Sequence, residues 1–327
     1  MVMKIFGLLH IEKNEQSAIN LSTKNFEEQL SVYTNNAIVL SKSLSFHGIE
    51  FGLLTNNKLL VEELASKTDD GFSLEIIEIP FITKVPSGVR FFSAHYKIDA
   101  FRYVASLKDS YYALCDLDVV CISDLPTCLH NIIKERIPLC YDISDQVIPA
   151  YGHDVIIRDL SIIGGLDSEG RWSGGEFISG TPEFFNKLVS EIDGVYDNYV
   201  TAIPSLHHVG DEAITSSALE RMKRQGVYIA DAGNLFIVGR YWNTSVLHPQ
   251  KPFAYYKKCF LLHLPFDKKL ISSLAMLKAE ALIDFISIYE KKIGSLSSKL
   301  EKWAKFIVKF MISAPNKVFQ RTAKRRR

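Results

Sequence analysis

The chain has 327 residues, 47% of them hydrophobic and 23% charged, which is enough apolar material for one large domain or a domain plus an appendage and too much for a disordered chain. No run approaches the roughly eighteen uninterrupted apolar residues of a membrane-spanning helix, and the five cysteines, Cys115, Cys121, Cys128, Cys140 and Cys259, lack the paired spacing of a zinc or redox site, so they read as reduced core thiols of a cytoplasmic protein. The net charge of +1 conceals an asymmetry: residues 291–327 hold twelve Lys or Arg against one acid, Glu301, a local +11 that leaves −10 on the first 290 residues.

Along the chain, "MKIFGLLH" predicts a first buried strand, and the opening lacks the small-residue cleavage site of a signal peptide. "NFEEQLSVYTNNAIVLSKSLSFHG" has helical spacing at Leu30, Tyr33, Ala37, Leu40 and Leu44 and stops at Gly48. "IEFGLLTNN" predicts a second strand, "KLLVEELASK" a helix, and "SLEIIEIPF" a third strand closed by Pro80. "SAHYKIDAFRYVASLKD" is helical by Tyr96, Phe101, Val104 and Leu107, and "YYALCDLDVVCISDLP", residues 111–126, reads as a fourth strand. Such alternation predicts an α/β fold with a mixed, mainly parallel sheet flanked by helices, in which ligands bind at the carboxyl ends of the strands.

After Pro126, "PLCYDIS" and "VYIADAG" predict strands, and "TPEFFNKLVSEI" and "GDEAITSSALERMKRQG" predict helices. Thr181 and Pro182 open the first helix, and Asp211 stands near the start of the second. The glycine-rich "SIIGGLDSEGRWSGGEFISG" predicts tight turns and close backbone approach to a ligand. There are no internal repeats, and a helical stretch is expected from about residue 270 to the basic end.

The fourth strand raises a chemical problem. Side chains alternate along a strand, so Asp116 and Asp118 face one way with Leu117 opposed. Two carboxylates that close repel each other, and burial raises the cost unless a cation or proton lies between them. Hard divalent cations such as Mn²⁺ or Mg²⁺ take one or two protein carboxylates and keep positions open for phosphate oxygens. By itself the tripeptide is as well explained by a solvated strand end. Its place, after four apolar or aromatic residues at the end of the fourth strand of an α/β domain, favours a metal–diphosphate site.

"YYALCDLDVVCISDLP" resembles the metal-binding strand of nucleotide-sugar glycosyltransferases of the GT-A fold, especially the family that includes glycogenin and bacterial galactosyltransferases of lipopolysaccharide synthesis. The resemblance covers roughly residues 3–265 in order and spacing. It implies a metal held by Asp116, Asp118 and the late histidine of "CFLLHLPFDKK", His263, with Lys268 or Lys269 meeting phosphate and Asp124 supporting the strand. It also implies a nucleotide sugar, expected to be a UDP-sugar, lying against Leu9, His10, Thr55, Asn56, Lys97, Arg102, Asp116, Leu117, Trp172, Gly174 and Gly175. Glu176, Asp211 and Glu212 are the implied carboxylates for activating an acceptor hydroxyl. The Asn of the retaining family's Asn-Ser-Gly segment is absent, with Ser173 near its place, and "GDEA" replaces the usual acid-Gln-acid. Stereochemistry stays open, leaning towards inversion with Glu176 or Asp211 as base. Plainer explanations stand beside these roles: solvated helix charges for Lys97 and Arg102, a core histidine for His263, amino-terminal helix acids for Asp211 and Glu212, and simple turns for the glycines.

The expected organisation is a catalytic domain over residues 1–268, with a nucleotide-sugar-binding half at 1–126 and an acceptor-binding half at 127–268, followed by a basic helical extension at 269–327. In that extension Leu296, Leu300, Trp303, Ile307 and Phe310 recur at helical spacing among Lys299, Lys302, Lys305 and Lys309. This suits residues 295–327 to an anionic membrane surface at the inner face of the plasma membrane. Nucleic acid is not expected, because no recognised binding motif accompanies the charge. The expected acceptor is a glycan or lipid-linked sugar in cell-surface polysaccharide synthesis. A nucleotidyltransferase making an activated sugar would need a glycine- and Lys/Arg-rich loop after the first strand, which "LLHIEKNEQSAIN" lacks. A non-catalytic, membrane-associated glycan-binding protein would require a structural role for the Asp pair.

Overall fold

The structure, a computed structural model, describes residues 3–13, 23, 25–68 and 72–294. The proposed membrane-binding segment at 295–327 lies outside the described residues. The chain divides into two compact units, Met1–Ile283 and Asp284–Arg327. The first therefore includes the short helix after residue 268 that the sequence assigned to the extension.

The first half follows the expected alternation. β1 (Met3–Leu9), α1 (Phe26–Phe46), β2 (Glu50–Thr55), α2 (Lys58–Ser66), β3 (Ile76–Glu78), α3 (Lys97–Ala105) and β4 (Tyr111–Cys115) succeed one another in order. The strands that build the middle of the sheet are apolar almost without interruption, as strands covered on both faces must be. α1 begins where the Asn25 side chain accepts the Glu28 N–H at 2.8 Å, with Glu27 and Glu28 in its positive first turn. β3 keeps only three of the nine residues expected of it.

The second half departs further from expectation. It contains β5 (Val119–Cys121), α4 (Thr127–Glu135), β6 (Leu139–Asp142), α5 (Ser144–Tyr151), α6 (His153–Gly164), β7 (Ser173–Gly180), α7 (Pro182–Ala202), α8 (Asp211–Arg224), β8 (Ala230–Asp231), β9 (Val238–Arg240), α9 (Phe253–Tyr256), β10 (Leu261–His263) and α10 (Lys268–Ser272). In the second compact unit, α11 spans Phe285–Gly294. The glycine-rich stretch expected as turns forms β7, and the strand expected at "VYIADAG" shrinks to two residues.

The large sheet has the order β3-β2-β1-β4-β7-β6-β8. β1 runs parallel to β2 and β4, and β2 to β3, whereas β7 is antiparallel to both β4 and β6. β1, β2 and β4 therefore end on one edge. A small sheet of order β5-β10-β9 continues from there, with β5 and β10 antiparallel and β10 and β9 parallel. The chain thus leaves the large sheet at Cys115 and enters the small one at Val119. Asp116, Leu117 and Asp118 form the turn between the sheets rather than the end of one continuous strand.

Candidate metal centre

The step between sheets explains why two acids sit in this apolar sequence. Asp116 N–H donates to the Glu176 carbonyl on β7 at 3.2 Å, and Leu264 N–H donates to the Asp118 carbonyl at 2.9 Å, which fixes the turn from both sides. Register in the small sheet sets His263 opposite Val119 on one side and Arg240 on the other. Asp118 Oδ2 then lies 3.2 Å from His263 Nε2, and Asp116 Oδ2 lies 3.8 Å from the same nitrogen. One ligand atom each from Asp116, Asp118 and His263 falls within 4.8 Å of the other two. Two carboxylates and an imidazole converging this closely suit a divalent cation. His263 Nδ1 lies 3.3 Å from Glu176 Oε1, so the ring turns Nε2 toward the acids.

Two buried lysines flank the cluster. Lys97 Nζ lies 2.7 Å from Asp116 Oδ1 and 2.8 Å from Asp211 Oδ2, and it donates to the Gly175 carbonyl at 2.8 Å. Lys268 Nζ lies 2.5 Å from Asp118 Oδ2 and donates to the Pro265 carbonyl at 2.9 Å. Burial favours the neutral form of each lysine, yet the facing carboxylates outweigh it and hold both ammonium groups above their ordinary pKa. Burial raises the Asp116 carboxyl, and Asp118 adds to that against the pull of Lys97. Burial also opposes ionisation of Asp118, but Lys268 and His263 overcome it and hold that carboxyl below the usual range. His263 is pushed up to about 9, its burial being outweighed by Asp118 and Glu176.

Behind this cluster is a second buried network. Arg240 holds Glu176 through two bonds of 2.5 and 2.8 Å and reaches Glu212 at 3.2 Å. Glu212 also accepts from Trp172 Nε1 at 2.9 Å and from Gly175 N–H at 3.2 Å. Glu176 is 1% exposed, and Arg240 with His263 holds its carboxyl low against its own burial. Its proton-accepting capacity is therefore committed to the Arg240 bridge. Trp172, also 1% exposed, is a core residue with its N–H spent on Glu212 rather than a wall for a donor sugar.

The adjoining glycines are explained by this crowding. A Cβ on Gly174 would meet Glu176 Oε2 at 2.2 Å, and one on Gly175 would meet Asp211 Oδ2 at 2.4 Å and Lys97 Nζ at 2.8 Å. Gly175→Ala should therefore displace the Lys97–Asp211 bridge and cost about 1–3 kcal/mol in urea unfolding. Gly194→Ala on α7, where nothing lies within 4 Å of the added carbon, should be neutral or stabilising by up to about 1 kcal/mol. Equal effects at the two positions would remove the crowding explanation.

Asp211 opens α8 under a buried clamp. His95 Nδ1 lies 3.0 and 3.2 Å from the Phe91 and Phe92 carbonyls, so it carries the ring proton, and Nε2 accepts the Tyr199 hydroxyl at 2.6 Å. The Tyr199 oxygen in turn accepts the Gly210 N–H at 3.0 Å, next to Asp211.

The remaining expected residues divide into two groups. At the carboxyl edge, Leu9 and Thr55 are buried, His10 stacks on Tyr96 at 4.0 Å, and Asn56 clasps the Ile11 backbone through bonds of 2.8 and 2.9 Å. Burial lowers His10 to about 4, so it is neutral near pH 7. Leu117 is buried within the turn. Away from the centre lie Arg102, Asp124 and Lys269. Arg102 follows Lys97 by five helical residues, which points it to another side of α3, and it pairs with Asp99 and Asp193. Asp124, whose side chain is 96% exposed, pairs with His47, and Lys269 pairs with Glu28. Arg240, which the sequence reading missed, had one signal: a lone cation closing the apolar "LFIVGR" run.

Fold and site together define a mixed α/β protein with a mainly parallel sheet and a cation-ready Asp-Asp-His cluster at the sheet's carboxyl edge. No protein-family pattern matches the sequence, and no curated protein matches it. Among solved structures, the fold is similar to the apo form of WbbM, a bifunctional glycosyltransferase, at 10% identity and TM-score 0.48, over 80% of this chain and 45% of that one. It is also similar to the galactosyltransferase LgtC in complex with donor and acceptor sugar analogues, at 11% identity and TM-score 0.47, over 83% of this chain and 95% of that one. An active-site mutant of LgtC gives 12% identity and TM-score 0.45 over the same shares. The chain thus spans under half the length of WbbM. At this level of similarity none of these proteins assigns a role to a residue of this chain.

Proposed function

We propose that the protein is a metal-dependent glycosyltransferase that moves a sugar from a nucleotide-sugar donor, a UDP-sugar in the first instance, to a glycan or lipid-linked acceptor of cell-surface polysaccharide. The observation that carries this reading is the convergence of Asp116, Asp118 and His263 between Lys97 and Lys268 at the carboxyl edge of the sheet. Bound there, Mn²⁺ or Mg²⁺ supplies positive charge to a diphosphate leaving group. Lys268 holds Asp118 and offers a second cation beside it, and Lys97 ties the cluster to Asp211. Glu176 and Glu212 serve as the rear support through Arg240, which leaves Asp211 as the carboxylate placed to take a proton from an acceptor hydroxyl. This assignment predicts inversion at the anomeric carbon.

The test is turnover of a panel of nucleotide sugars by the full chain, with the anomer of the product read by NMR. EDTA should abolish turnover, and Mn²⁺ or Mg²⁺ should restore it. Undiminished turnover in EDTA would sink the metal-dependent reading, and a retained anomer would remove Asp211 as base.

Residues 295–327 extend the proposal through their sequence alone: twelve of the Lys and Arg residues lie in 291–327, interleaved with Trp303, Ile307 and Phe310. They are assigned to an anionic membrane surface. Full-length protein should float with anionic liposomes, and deletion of 295–327 should abolish flotation. Undiminished flotation of the truncated chain would contradict the assignment.

A further inference from the structure

Beside Glu212, rings from three separate segments gather into a second cluster outside the cation site. Tyr151 ends α5, His207 and His208 precede α8, and Trp242 and His248 belong to the loop after β9, all of them half-buried. The Tyr151 ring centre lies 4.3 Å from that of His207 and 5.4 Å from that of His248, and Trp242 lies 6.3 Å from His248. His208 Nε2 is 3.9 Å from Glu212 Oε2, so one carboxylate links these rings to Arg240 and the network behind the metal ligands.

This region also concentrates buried polar atoms that lack a hydrogen-bond partner. They include His207 Nε2, His248 Nδ1, Trp242 Nε1 and the neighbouring Asn243 Oδ1. Folding does not normally leave such groups unpaired, because each has given up its bonds to water without replacement. The loop that carries three of them is held in place: Gln250 bonds the Trp242 backbone in both directions at 2.9 Å, and Asn243 Nδ2 donates to Asp267 at 3.2 Å. The unpaired atoms therefore belong to a braced loop. Burial pushes both His207 and His248 below the ordinary histidine value. Each neutral ring carries one donor and one acceptor.

Half-buried aromatic faces edged by neutral donors and acceptors match one ligand chemistry well. A hexopyranose has an apolar C–H face to lay on a ring and hydroxyls that both donate and accept. A lipid chain would leave the four polar atoms unpaired, and an anion would meet neutral histidines beside Asp159 and Glu212. We propose that Tyr151, His207, Trp242 and His248 form a cradle for a neutral sugar ring, the acceptor's saccharide, on the Glu212 side of the metal centre. The word acceptor rests on the transferase reading, whereas sugar binding by these rings does not.

The experiment uses the full chain labelled with ¹³C-histidine, and methyl α- and β-hexopyranosides as probes. At least one glycoside should shift the ring signals of His207 and His248 saturably while leaving His47 and His130 unmoved. Trp242→Ala should weaken that response about tenfold without unfolding the chain, as judged by its remaining histidine signals. Static His207 and His248 signals at the highest soluble glycoside concentration would overturn the proposal, as would shifts produced by uridine and not by any glycoside. If the glycoside response is present but no nucleotide sugar is turned over, the transferase reading fails and the sugar site stands. If transfer proceeds while both histidines stay silent, the cradle fails and the transferase reading stands.

Discussion

Asp118→Asn should lower metal-stimulated turnover of a nucleotide sugar by on the order of 10³-fold, the scale of losing a principal electrostatic support for a leaving group. Asp118 is the sharper probe of the two acids because it is 4% exposed and bonded to both Lys268 and His263, whereas Asp116 is shared with Lys97. Asparagine keeps the size and one oxygen but removes the charge that opposes a cation. It also leaves Lys268, itself 8% exposed, without its counter-charge, so some loss of stability is expected. Asp118→Asn with Lys268→Met separates the two effects. The double variant should regain stability and remain inactive, and titration followed by the electron paramagnetic resonance of free Mn²⁺ should show weakened ion binding in both variants. A folded Asp118→Asn protein with wild-type turnover would end the case for a metal centre.

The sequence made the front of this site legible and hid its back. The continuous apolar runs of β1, β2 and β4 announced a sheet covered on both faces, and the cost of Asp116 beside Asp118 in such a run pointed to a cation. His263 was legible by similar reasoning, as a polar ring between Leu262 and Leu264. The turn between sheets was not, because a strand that changes sheets keeps its apolar pattern through Val119, Val120 and Cys121. β7 was hidden because glycines have low strand propensity and read as turns. Their reason for being in a strand, room for the Glu176–Arg240 and Lys97–Asp211 bridges, is a tertiary fact. Arg102 misled in the opposite sense: residue type and spacing suggested a ligand contact, while the turn of α3 aims it at Asp193. Glu176 and Trp172 lay in a segment correctly associated with the site. Their partners, Arg240 and Glu212, are 64 and 40 residues away in sequence, and pairings across that distance leave no local pattern.

Arg240→Met should cost about 3–5 kcal/mol in urea unfolding, the range for breaking a buried ion pair from one side. Arg240 is 6% exposed and is the only described Lys or Arg bonded to Glu176, with a further bond to Glu212. Methionine fills the space of the side chain's stem but leaves a carboxylate that is 1% exposed facing His263 Nδ1 alone. The expected loss is therefore mostly the penalty of a stranded charge rather than the net worth of the bridge. Adding Glu176→Gln should recover a substantial part of it, leaving the double variant less than about 2 kcal/mol below the parent, because a neutral amide tolerates the apolar environment better. Should the double variant be as unstable as Arg240→Met alone, the damage would lie in packing around β9 instead. Glu176 also orients His263, so the double variant is expected to fold and yet hold Mn²⁺ more weakly than the parent. Stability and ion affinity would then part company in one protein, as they should if the rear network sustains the fold and aims the metal ligand by separate means.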